Sequence, residues 1–192
     1  MSPEGFVIVE EDYYNLDDIM ATRATIACTF SQKTPSEFFP LIGQRAPDAI
    51  TEKGFKTEAP SWMICALNGQ EVECDLHIPR AFTETIRNGL LAEPELVNLS
   101  ELCSYFYLYG IRISNLINGT NGHDLAECLL LVFMKRSGMI YNKVVDMNFK
   151  PRKMDSIEKT IFLAGQKTEK RTTNWFHSIE KQQRKRKSPS NV

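Results

Sequence analysis

The chain has 192 residues, 42% of them hydrophobic and 24% charged, which suits one ordinary globular domain, or one domain and a small appendage, with a core that needs no staples. Its net charge of −1 hides an asymmetry, because residues 170–192 carry +6 and residues 1–169 therefore −7; an acidic body argues against a nucleic-acid-binding core, which needs a basic face. The five cysteines, Cys28, Cys65, Cys74, Cys103 and Cys128, are odd in number and widely spaced. No opening signal pattern is visible, and no stretch approaches the roughly 20 apolar residues of a membrane span. A reducing compartment is expected.

Taken in chain order, the first 57 residues are short and broken. Phe6–Val9 reads as a strand. Asn15 is placed to cap a helix whose first turn carries Asp17 and Asp18 at its positive end. Residues 24–30 alternate, so Ile26, Cys28 and Phe30 share one side of a strand. Pro35, Pro40, Gly43, Pro47 and Gly54 then leave room only for short strands.

The period becomes helical from Pro60. A short helix over 60–67 stops at Gly69. Pro79 suits a first helical turn, and Phe82, Ile86 and Leu90 follow at a spacing of four, forming one apolar stripe. Pro94 ends that helix. Asn98 and Glu101 have capping-box spacing for an aromatic helix running to Ile117. Residues 118–122 read as a turn, and Asp124 and Glu127 as the start of the next helix. Its run Leu129–Met134 is apolar nearly all round, which predicts a position central to a core. Asp155 to Glu158 starts the last helix, with Ile157, Ile161 and Phe162 on its buried side. The predicted architecture is mainly α: a small β-rich domain over 1–57, a helical bundle domain over 58–178, and a basic, disordered tail over 179–192.

Few residues point to chemistry. His77 follows Cys74 by three residues, but no second pair at zinc spacing accompanies it, and structural zinc needs four ligands. No histidine has a serine or cysteine partner in the pattern of a triad. Gly165 to Thr168 lacks the upstream glycine and adjacent Gly-Lys of a phosphate loop; a helical glycine at a tight contact explains it better. Asp17 and Asp18 read as electrostatic caps rather than cation ligands. Gly110 stands inside the aromatic helix at a cost of about 1 kcal/mol against alanine. Close approach of another backbone explains it, from this domain or from a partner chain. Arg184, Lys185, Arg186 and Lys187 read as a nuclear import signal, with non-specific DNA contact or a solvated end as alternatives.

Several positions, in order, resemble the GINS replication complex family, and within it the third subunit. They are Tyr14 to Ile19 at the entry, Ala59-Pro-Ser-Trp62 at the junction, Ile78-Pro79, Ala92 to Pro94, Val97 to Leu99, Phe106-Tyr107 with Gly110, and Phe162 with Gly165 to Lys167. The polar stretch at Gln44–Lys53 departs from that pattern. The resemblance implies a β-domain before a helical domain and a heterotetramer with three sibling subunits. It further implies that the tetramer joins the MCM hexamer and a RecJ-like factor to form the replicative helicase. The chain would be a structural subunit in the nucleus, with no active site, no cofactor and only indirect or weak DNA contact. Leu16, Asp17, Asp18, Ile19, Trp62, Phe82, Phe106, Tyr107, Tyr109 and Gly110 are then the candidate interface residues. Three other readings compete: a DNA-binding accessory module, a small enzyme, and a helical adaptor outside replication.

Overall fold

The computed structural model describes residues 14–31, 34, 37–43, 54–67, 74–117 and 119–187, with only the backbone of Cys65 and of residues 185–187. The strand expected at Phe6–Val9 and the Gln44–Lys53 stretch lie outside them. Helix α1 (Leu16–Thr22) leads into strand β1 (Thr25–Phe30). The short helix α2 (Phe38–Leu41) and strand β2 (Phe55–Pro60) follow, then α3 (Ser61–Leu67) and strand β3 (Cys74–Leu76). A 3₁₀ turn (Arg80–Phe82) precedes helices α4 (Glu84–Ala92), α5 (Leu99–Leu102), α6 (Phe106–Leu116), α7 (Thr120–Val144) and α8 (Ser156–Lys187).

Three antiparallel strands form one sheet in the order β2-β1-β3. The period-2 pattern of β1 works as expected, with Ile26, Cys28 and Phe30 buried on one face. Strand β3 comes from residues after α3 and extends the sheet past position 57. Asn15 caps α1, its side-chain oxygen accepting from the Asp17 N–H at 3.0 Å.

One apolar cluster runs without a break from β1 through Phe82 and Phe106 to Leu129 and Val132 of α7. Polar ties join the same parts. The Tyr109 hydroxyl donates to the Thr25 carbonyl at 3.1 Å. Arg112 pairs with Asp18 at 2.6 Å, and the Ser156 hydroxyl donates to Asp17 at 2.8 Å.

Several sequence expectations are corrected. Proline fixes φ but does not carry a helix through Thr83, whose extended backbone separates the 3₁₀ turn from α4. The aromatic helix is two helices, because Cys103 is extended and α6 starts afresh at Phe106. Asn98 makes no side-chain cap; its oxygen accepts from the Ser100 hydroxyl instead. The turn before α7 is shorter than expected, since Gly119, at φ 89°, turns the chain and the helix already runs from Thr120. Phe162 of α8 is buried as expected, but Ile161 is exposed and Glu158 is buried in its stead. Residues 179–187, expected to be disordered, continue α8.

Candidate assembly surface

Helix α7 is the organising element of the helical region. Its inner side buries Leu125, Cys128, Leu129, Val132, Arg136 and Ile140. The buried positions recur at the helical period, so one charged residue sits among apolar ones.

Arg136 is fully buried and is held by groups from three neighbouring segments. Its Nε donates to Glu158 Oε1 at 2.7 Å and its Nη2 to Oε2 at 2.8 Å, a two-pronged grip on one carboxylate. The remaining N–H groups reach the carbonyls of Pro94, Val97 and Lys153. Glu158, also without exposure, accepts from the Tyr107 hydroxyl at 2.9 Å. Asp155 caps α8 by accepting from the Glu158 N–H at 2.9 Å. The network joins the α4–α5 connection to α6, α7 and α8, and so fixes how α7 is rotated against its neighbours.

The electrostatics follow from burial. Desolvation raises the Tyr107 phenol above its usual range, reinforced by the charge of Glu158 beside it. Burial works against the charge on Arg136, but hydrogen bonding to Glu158 and the charge of Glu158 together outweigh it, and the guanidinium is held above its ordinary value. Burial pushes Asp155 from 3.8 up to about 6, opposed by the backbone N–H of Glu158. Asp155 therefore contributes stability that is complete below about pH 4 and lost as pH rises through about 6. Asp155→Asn keeps the capping oxygen without the charge. The stability difference, variant minus parent, should grow in the variant's favour between about pH 4 and about pH 7. Urea midpoints of both chains across that range measure it; a constant difference would refute the assignment.

The opposite side of α7 is apolar too. Leu130, Met134, Tyr141 and Val145 lie on one line along the helix, with Leu131 beside it, and all five are exposed. Met134 is 61% and Tyr141 76% exposed. Ser137 and Gly138 lie at mid-stripe, and a Cβ built on Gly138 meets nothing within 4 Å. Small residues flanked by large apolar ones let a second helix approach closely. The expectation that Leu129–Met134 is central to a core is thus corrected: this chain covers only one side of α7. An exposed apolar row of this length marks an interaction surface.

The candidate interface residues named from the sequence fall into three groups. Leu16, Ile19 and Trp62 are exposed. Asp17 and Asp18 are engaged by Ser156 and Arg112. Phe82, Phe106, Tyr107 and Tyr109 are at most 5% exposed, and their rings pack on one another as tilted and edge-on pairs. They build this chain's own core and offer no surface. Gly110 is likewise explained from within, but by side chains and not by the backbone expected, since a Cβ there would lie 2.8 Å from Leu129 Cδ1 and 3.0 Å from Phe82 Cε1. Gly165 packs on Val144 in α7, the tight contact expected of it. His77 pairs with Thr29 across the sheet at 2.8 Å. Among the described residues, no group of three or more His, Cys, Asp or Glu could hold a metal ion. No described helix is long and apolar enough to cross a membrane.

The sequence is similar to those of known proteins. The chain is 23% identical over 180 residues to the DNA replication complex GINS protein psf3 of Schizosaccharomyces pombe, covering 87% of this chain and 98% of that one. It is 25% identical over 194 residues to the DNA replication complex GINS protein PSF3 of Homo sapiens, covering 95% and 87%. It is 27% identical over 186 residues to the corresponding protein of Phaeosphaeria nodorum, covering 88% and 98%. This chain resembles the third GINS subunit. The likeness to PSF3 proteins spans both the sheet and the helices, so α7 with its uncovered side falls within it. No family model matches the chain.

Proposed function

We propose that this chain is a structural subunit of a GINS-type heterotetramer, acting in DNA replication without an active site of its own. The observation that carries the reading is the uncovered apolar row on α7, in a chain similar over nearly its whole length to GINS PSF3 proteins. An interface core favours Tyr, Met and other large apolar groups over charge, and Leu130, Met134, Tyr141 and Val145 supply them. Three sibling subunits are the partners, and one of them covers α7. Leu16 and Ile19 on α1 and Trp62 on α3 are further exposed apolar side chains available to partners. Through the tetramer the chain joins the MCM hexamer and a RecJ-like factor in the helicase that opens DNA at the fork, and the ATP chemistry belongs to the hexamer.

Coexpression with the three siblings, followed by native mass spectrometry, tests this reading. A 1:1:1:1 complex is expected. Met134→Asp with Tyr141→Asp should weaken it by about 2 kcal/mol or more, roughly thirtyfold in affinity, because an interface would bury unpaired charge. Both positions are exposed in the single chain, so its own unfolding midpoint should hardly move. A complex that tolerates both aspartates would remove α7 from the interface.

In the same reading the protein works in the nucleus. Arg184, exposed at the end of α8, and the following Lys185, Arg186 and Lys187 form the import segment. A chain with all four replaced by glutamine should lose nuclear accumulation when expressed alone. Unchanged accumulation would remove the import role from this segment.

A further inference from the structure

Helix α8 has 32 residues, yet only its first part packs. Glu158 and Phe162 are fully buried, Gly165 lies on Val144, and Gln166 donates to the Asp146 carbonyl. From Lys167 to Arg184 every residue is exposed except Glu169 and Ile179, which are half-buried. The distal helix is therefore an arm held at one end.

Charge is sorted around this arm. At 3.6 residues per turn, Lys167, Lys170, Arg171 and Lys181 fall within about 100° of arc. Asn174 and Ser178 occupy the same arc and are exposed. Glu169 and Glu180 lie outside it, as does the apolar group of Trp175, Phe176 and Ile179. The rings of Trp175 and Phe176 meet edge-on at 4.9 Å. The four cations extend over about 21 Å of helix, at 1.5 Å per residue.

We infer that this basic arc is a second functional surface, which binds the sugar-phosphate backbone of duplex DNA without reading its sequence. The choice of DNA over another polyanion rests on the replication reading above. Duplex DNA offers one phosphate charge per about 1.7 Å of axis, so lysines and arginine on flexible stems can find phosphates along the whole arc. Asn174 and Ser178 add the neutral donors that backbone contacts commonly use. The acidic body, at −7 before residue 170, repels the same polyanion and confines contact to the arm. The arc is separate from the import segment at 184–187, and it meets the uncovered row on α7 only at one end, where Lys170 and Asn174 line a cleft with Val145.

The test uses the full chain, alone and in the tetramer, with a mixed-sequence DNA duplex long enough to lie along the arm. Binding is followed by fluorescence anisotropy as salt is raised. One variant carries Lys167→Gln, Lys170→Gln, Arg171→Gln and Lys181→Gln. A charge-matched control carries Lys56→Gln, Arg80→Gln, Lys150→Gln and Arg152→Gln, all exposed on the body. The arm variant should lose about tenfold or more in affinity at low salt, and its log–log salt slope should fall by about 3 to 4. The control should match the parent. Native mass spectrometry of the same samples reports assembly separately, so failure of the tetramer and failure of DNA binding are read apart. No binding by the parent, or equal loss in both variants, would overturn the inference. So would an arm variant that binds DNA normally but fails to assemble, which would assign the arc to an acidic protein partner.

Discussion

Arg136→Met should destabilise the folded chain by about 3–5 kcal/mol, the usual result of removing one partner from a buried ion pair. The loss has two sources. Glu158 would lose its countercharge in a site with no exposure, retaining only the Tyr107 hydroxyl as a side-chain partner. The carbonyls of Pro94 and Val97 would lose the Arg136 donor, and a buried unsatisfied group costs about 1–3 kcal/mol; the Lys153 carbonyl keeps the Leu99 N–H. Urea unfolding followed by circular dichroism measures the change; a loss below about 1 kcal/mol would show that the pair is dispensable. Arg136→Met with Glu158→Leu should recover part of the loss, because no uncompensated charge remains. Recovery should be incomplete, since the Pro94 and Val97 carbonyls and the Tyr107 hydroxyl lose their side-chain partner.

Gly122→Ala should also be severe, despite adding one methyl group to a helix. A Cβ at this position would stand 2.0 Å from the Ile117 carbonyl oxygen and 2.5 Å from that of Ser114. Both are backbone atoms at the end of α6, so no rotamer change relieves the overlap and the start of α7 must move away. Alanine's better helix propensity returns at most about 1 kcal/mol. A net loss of about 3 kcal/mol is expected, at the upper end of overpacking costs. Gly110→Ala provides the contrast. Its Cβ meets only side-chain ends of Leu129 and Phe82, which can adjust, so it should lose clearly less. Equal losses at the two positions, measured by denaturant midpoint, would contradict the distinction between backbone and side-chain neighbours.

What could be read in the sequence was mostly what local periodicity encodes. The alternation of β1 assigns Ile26, Cys28 and Phe30 to one face without tertiary information, and Asn15 caps α1 by purely local geometry. Strand β3 was missed because three residues carry no usable period and its pairing with β1 is set by distant chain. The break at Cys103–Tyr105 was hidden for a related reason: hydrophobic content continues across it while the backbone does not. The α7 surface was visible, but its meaning was not. Apolar residues on every side are equally consistent with a core helix and with one covered half by its own chain and half by another. Arg136 did leave a trace, as a charge between Val132 and Ile140 in register with both. Its partner Glu158 lies 22 residues further on, in the next helix, which spacing alone could not connect.

The tie between β1 and α6 bears on how the protein is made. The Thr25 carbonyl accepts from Tyr109, 84 residues later, and Asp17 accepts from Ser156, 139 residues later. At ribosomal rates of about 5–20 residues per second, Tyr109 is synthesised roughly 4–17 s after Thr25. For that interval β1 carries Ile26 and Phe30 without the helices that cover them. Contacts so distant along the chain slow folding, because loop closure precedes any reward. The nascent N-terminal segment is then a natural client for chaperones, and an early stop before α8 would release a chain whose Asp17 and Arg136 both lack their partners.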